Sequence, residues 1–212
     1  MSWDRGVSWY TDLSSPPSGD VVNLAYMRDL HLRAVNDSNE DPKIQRALDS
    51  ATAQAEHFMG RAILDQTWLL VLSGFPASGQ ITLPYPPLVS VTSIAYTDEN
   101  GDAQTLATSE YDVRRLRGPN AGRSWIDRAY NVTWPATRVQ RDAVTVTFRA
   151  GYIDTDVSPE VENIPEAIRE GIAMRAAELY KQRSDSIIGV GITSSPAMVA
   201  SRNLWHDYKV YG

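Results

Sequence analysis

Apolar residues at Ile44, Leu48, Ala51, Ala55 and Phe58 recur at intervals of four, three, four and three, the stripe of an amphipathic helix. Pro42 suits the first turn of that helix, where its missing N–H would have no partner in any case. Gly60 can take the left-handed conformation that ends it. The pattern therefore predicts a helix over 42–59. A shorter one is predicted over 24–33, where Asn23 can cap the start and Leu24, Met27 and Leu30 share a side. A third stripe, Ile168, Ile172, Ala176 and Leu179, flanked by Ala173 and Tyr180, follows Pro165 and predicts a helix over 165–183. Glu166 and Glu170 lie near its start, Lys181 and Arg183 near its end, as the helix dipole favours.

Between the second and third stripes the period changes. Val144, Val146 and Phe148 alternate with Thr145, Thr147 and Arg149, the mark of a strand with one buried face. Strands are predicted at 67–72, 80–83, 89–96, 103–108, 111–113 and 143–149. Asp98-Glu99-Asn100-Gly101 falls between two such runs and reads as a hairpin turn. Pro84, Pro86 and Pro87 exclude a central strand where they stand. The expected fold class is α+β: a bundle of about three helices, from 23–64 and 152–183, carrying a small antiparallel β domain inserted at 65–151.

The two ends lie outside this scheme. Residues 1–22 hold no periodic pattern and read as an arm, but Trp3, Trp9 and Tyr10 are costly to leave in water. The arm is expected to pack, on its own core in preference to a partner. Residues 184–212 read as an extended C-terminal extension. Its stretch 186–201 carries no charge and mixes small with β-branched residues. Ordering each residue costs on the order of 1–2 kcal/mol, which a lone tail does not offset. The extension is therefore expected against a neighbouring subunit or partner, with a hairpin on its own domain or disorder as the alternatives. Ile187, Ile188, Val190 and Ile192 suit addition to a neighbour's sheet edge. With Leu204, Trp205, Tyr208, Val210 and Tyr211 they are the candidate interface residues.

Charge sharpens the picture. The 212-residue chain has a net charge of −6, yet seven arginines face three aspartates between Asp112 and Asp142. That window is +4, so the rest of the chain is −10. An acidic protein is a poor general DNA binder, because duplex affinity comes largely from cations that displace counterions. Arg114, Arg115, Arg117 and Arg123, within the window, form either a solvated β face or a docking patch for an acidic protein surface. Acidic residues gather at Asp37, Glu40 and Asp41, and again at Asp154, Asp156, Glu160 and Glu162. The absence of cysteine excludes disulfides and thiolate metal sites and fits assembly in a reducing cytoplasm. No run approaches the roughly 18 apolar residues of a membrane span, and the N-terminal stretch lacks the layout of a signal peptide. A soluble, intracellular protein is expected.

Catalytic patterns do not emerge. His31 and His57 have no second ligand at the i+3 or i+4 spacing of a helical zinc site, and His206 stands apart from both. The stretch 118–124 has the outline of a phosphate-binding loop, but it is one residue short between glycines and has Arg123 where lysine belongs. Asp98, Asn100 and Asp102 are spaced like calcium ligands, but Ala103 replaces the turn glycine and the distal glutamate is missing. No nucleophile elbow is present. Neither an enzyme nor a cofactor is expected.

The run His31-Leu32-Arg33, Glu40-Asp41, Gly60-Arg61-Ala62 to Gln66-Thr67-Trp68, Phe75-Pro76, Leu83-Pro84, Pro86-Pro87-Leu88, Ser90-Val91, Tyr111, Trp134-Pro135 and Ala150-Gly151-Tyr152 resembles, in order and spacing, the head–tail connector (adaptor) proteins of tailed bacteriophages, prophages and gene-transfer agents. The resemblance implies a structural virion protein of the neck, assembled in the host cytoplasm. It implies a homo-oligomeric ring, usually of twelve subunits, beneath the portal protein, joining the DNA-filled head to the stopper and tail. It also implies that DNA passes through without specific binding and that the C-terminal extension touches the portal. A neutral or acidic bore repels phosphates. Glu166 and Glu170, or the 154–162 loop, are therefore the candidate channel-facing groups, with the arginine window facing outward or towards a neighbour. A reading of a different class is a monomeric ligand- or carbohydrate-binding β module, with Trp125 and Trp134 presenting ring faces to sugars.

Overall fold

The computed structural model describes residues 7–17, 19–32, 38–181 and 196–211. They fall into two compact units. One takes the described residues of Met1–Ser18, Arg61–Glu162 and Val210–Gly212; the other takes those of Gly19–Gly60 and Asn163–Lys209. The mixed α+β class expected from the two periodicities is the class found.

The first unit is built of strands, in chain order β1 (Trp9–Ser15), β2 (Gln66–Leu72), β3 (Gln80–Thr82), β4 (Leu88–Thr97), β5 (Ala103–Thr105), β6 (Tyr111–Arg114), β7 (Trp125–Arg128), β8 (Val144–Ala150), β9 (Ile153–Asp154) and β10 (Val161–Glu162). A five-stranded antiparallel sheet has the order β1-β2-β8-β4-β5, a three-stranded sheet the order β3-β7-β6, and β9 pairs with β10. The alternation in β8 is realised: Val144, Val146, Phe148 and Ala150 are buried, and the residues between them are half-buried. β8 occupies the middle of its sheet, with Trp68 of β2 and Val91 of β4 both opposite Phe148. Ile81 of β3 and Ile126 of β7, register partners, join the same core. Each large side chain buried there stabilises the unit by ~1.5–3 kcal/mol.

Trp3 lies outside the described residues; the described part of the arm packs on its own core through a strand that the sequence pattern does not reveal. β1 pairs with β2 from Trp9↔Leu72 to Leu13↔Trp68. Trp9 lies against the core, whereas Tyr10 and Asp12 are exposed. An edge strand needs only one covered face, and two inward residues are too few to register as a period. β7 is hidden for a similar reason: Ile126 is its one fully buried residue, set inside the arginine-rich window.

The proline stretch between β3 and β4 is pinned by backbone bonds. The carbonyl of Pro86 accepts from Ala62 N–H at 3.2 Å, and that of Pro87 from Gly151 N–H at 3.0 Å. Gly151 has φ +147°, and a Cβ there would lie 2.5 Å from the carbonyl oxygen of Leu64. Arg61 is only 3% exposed, and its Nη1 donates to the carbonyl of Ala121 at 2.7 Å. The hairpin turn between β4 and β5 closes as the sequence predicts. Asp98 Oδ1 accepts from the amides of Asn100 and Asp102, each at 3.0 Å, and Gly101 takes φ +95°.

The second unit is helical. Asn23 Oδ1 accepts from Tyr26 N–H at 2.7 Å and caps α1 (Leu24–Tyr26), which runs into a π-helical turn, Met27–Leu32. α2 (Asp41–Met59) has Pro42 in its first turn and ends at Gly60, φ 67°. Its buried face is Ile44, Ala47, Leu48, Ala51, Ala55 and Met59. Phe58 is half-buried, so the stripe rotates slightly from the one read off the sequence. α3 (Glu166–Lys181) buries Ile168, Ile172, Ala173 and Ala176.

Part of the C-terminal extension departs from expectation. Pro196–His206 form a helix, α4, packed on α3 and α2. The reason is a close fit at one residue. Trp205, 2% exposed, lies against Gly171 of α3, where a Cβ would meet its Nε1, and would stand 2.9 Å from Cε2. Its Nε1 donates to the carbonyl of Ile168 at 3.4 Å. Only a glycine lets the indole approach the helix backbone so closely.

Candidate interface surfaces

The candidate interface residues of the extension separate. Ile187, Ile188, Val190 and Ile192 lie outside the described residues. Trp205 is corrected from partner surface to core of its own unit, because Gly171 gives it a seat there. Leu204, Tyr208 and Val210 are half-buried, and Tyr211 is 67% exposed.

Where α4 lies on the bundle it leaves a groove of about 340 Å³. Ala53, Phe58, Met198 and Trp205 make an apolar floor. The Arg202 guanidinium stands 5.7 Å and the Lys209 ammonium 5.2 Å from the Phe58 ring centre, within cation–π range. Arg175, also on the rim, is held by Gln54 at 2.8 Å and by Glu178 at 2.6 Å. The sequence pattern does not disclose this groove, because Arg202 and Lys209 come from the segment read as extended tail.

The arginine window and the acidic loop meet. Arg117 pairs with Asp156 at 2.9 Å, and Arg115 Nη1 donates to Thr155 Oγ1 at 3.2 Å. Arg149 forks onto Asp65, at 3.2 and 2.5 Å, and reaches Glu160 at 3.0 Å. Those two carboxylates raise the guanidinium pKa further above its ordinary value, the bonds to Asp65 most. Arg114, 57% exposed, lies between Asp112 and Asp127, and Arg123 is half-buried. Arg115 and Arg117 of the window, expected to face outward or towards a neighbour, thus touch the 154–162 loop, one of the two candidates for the channel.

Of the candidate channel groups, Glu166 is exposed at the start of α3. Glu170 is occupied. Its Oε2 accepts from the Tyr26 hydroxyl at 3.0 Å and lies 3.5 Å from His31 Nε2. The bond to Glu170 raises the Tyr26 pKa, with partial burial and the nearby carboxylates adding to it. The two tryptophans considered as sugar platforms are engaged as well. Trp134 stacks on Phe75 at 4.8 Å and 11°, and Trp125 Nε1 donates to Asp127 at 3.1 Å. Among the described residues no three histidine or acidic side chains gather to hold a metal ion, and no helix is long and apolar enough to cross a membrane.

No family model matches the sequence, and no curated protein matches it. Solved structures do match. A chain from the virion of a native gene transfer agent particle superposes with a TM-score of 0.69 at 20% identity, covering 95% of this chain and 96% of that one. A chain from the neck of an empty particle, computed with C6 symmetry, gives 0.71 at 18% identity over 96% of both. One from the neck of the native particle, computed with C12 symmetry, gives 0.70 at 18% over 96% of both. Both units are included in that coverage, and this chain has the fold of chains that occur in the virion and neck of gene transfer agent particles.

Proposed function

We propose that this chain is a structural neck protein of a phage-like particle, a head–tail connector rather than an enzyme. On this reading copies form a closed ring beneath a portal protein, twelve in number, and join the DNA-filled head to the stopper and tail. The observation that carries the reading is the correspondence along 96% of both chains with a neck chain from a C12 assembly. The order of motifs from His31 to Tyr152 points the same way.

The surfaces take roles within this proposal. Tyr211 and the half-buried Val210 are offered to the portal or a neighbouring copy. Glu166 faces passing DNA, where a carboxylate repels phosphate. The surface shared by Arg114, Arg115 and Arg117 with the acidic loop is a mixed-charge contact for a neighbour.

Native mass measurement and electron microscopy of the purified chain test the reading. A twelve-membered ring, together with unjoined heads and tails when the gene is removed from its particle, is the expected outcome. A monomer whose loss leaves heads joined to tails would end it.

A further inference from the structure

The groove on the helical unit has the chemistry of a docking site for one particular segment. Its floor is apolar, and Arg202 on its rim is exposed, lies over the Phe58 ring and makes no ion pair among the described residues. An apolar floor and an unspent cation call for an occupant that brings aliphatic side chains and a carboxylate together. Nucleic acid brings an anion, its phosphate, but no aliphatic side chain.

The 154–162 segment of the strand unit has both. Val157 and Val161 are 44% and 49% exposed. They stand among Asp154, Asp156, Glu160 and Glu162, with no basic residue in the segment. Arg117 and Arg149 take Asp156 and Glu160. Glu162, beside Val161 on the short strand β10, is exposed and makes no ion pair among the described residues. The segment thus offers two valines and a spare carboxylate where the groove offers apolar surface and a spare guanidinium.

We infer that the groove between α2, α3 and α4 seats the 154–162 segment of a second copy, with Val161 on the floor and Glu162 at Arg202. The inference rests on the ring reading above and names the contact that closes the ring. Two different surfaces meet, so the contact is head-to-tail, the arrangement that builds cyclic assemblies.

The chain contains no cysteine, so single cysteines report without interference. Arg202→Cys and Glu162→Cys are purified separately, and circular dichroism checks that both keep the fold. They are then mixed and oxidised. Disulfide-linked dimers containing one of each variant are expected, with few in either variant alone. As a second measurement, Arg202→Glu and Glu162→Arg each raise the concentration needed for assembly by roughly tenfold or more, because like charges then oppose each other. Together they restore it. Rings that form without unlike-variant cross-links, and are indifferent to the charge reversals, overturn this contact and leave the ring standing. A chain that stays monomeric at every concentration, and whose loss leaves heads joined to tails, overturns both.

Discussion

Replacing Gly171 with alanine sets two effects of known size against each other. Helix propensity favours the change: alanine in a helix interior is better than glycine by ~0.8–1.0 kcal/mol. Packing opposes it. The new methyl would stand 2.9 Å from Trp205 Cε2 and 3.0 Å from Cδ1, in a site where the indole is 2% exposed. The ring cannot bend away as a flexible chain end does, so α4 must shift. Overpacking of this kind costs roughly 1–3 kcal/mol. Displacement also breaks the Nε1 bond to Ile168, about 0.5–1.5 kcal/mol, and loosens the tilted pair that Trp205 makes with Phe58 at 6.2 Å. Packing wins, and Gly171→Ala is expected to destabilise the helical unit by about 1–3 kcal/mol. Urea denaturation measures the loss, and amide exchange should quicken over α4 ahead of α2. A Trp205→Phe background supplies the control, because the smaller ring makes room and lets the propensity gain appear. A Gly171→Ala variant that is more stable than the parent, or destabilised with α4 protection unchanged, refutes the seat.

Gly151→Ala is expected to be severe, because positive φ and backbone overlap with Leu64 act together; a loss of at least ~3 kcal/mol in denaturant titration is the expected result. Arg61→Ala removes a buried, charge-assisted bond to the Ala121 carbonyl and should cost about 1.5–3 kcal/mol, with faster exchange in the 118–124 loop. The carboxyl of Asp98 is held below its usual pKa, chiefly by the Asp102 amide. Its contribution to the turn is therefore complete above the ordinary aspartate range and is lost as pH falls through the lowered value. Amide exchange at Asn100 and Asp102, compared between the parent and Asp98→Asn across acid pH, reads this directly; a pH response that persists in Asp98→Asn would refute it.

Legibility in the sequence follows how much of each element's environment is local. α2 and α3 are legible because each buries one continuous stripe and carries its own stop or charge signals. β8 is legible because both of its neighbours lie in the same sheet and one face is dry. β1 and β7 are not, since each hides a single core residue or two among polar ones. α4 is the instructive case. Its place is set by the missing side chain of Gly171, on another helix, and no pattern within 184–212 reports that. The arginine window and the acidic loop are each visible as clusters; that they share a surface depends on which strands pair.

The order of segments along the chain constrains how a subunit comes off the ribosome. α1 and α2 emerge early but lack α3 and α4, which are translated only after every strand from β2 to β10. β1, made before α1, waits for β2 until α2 has passed. Every strand is therefore on hand while the helical half is still incomplete, and α4 is the last helix of that half to be made. If the groove is the seat for a neighbour, it does not exist until then, so nascent chains on one messenger have nothing to grip and ring closure is deferred to finished molecules.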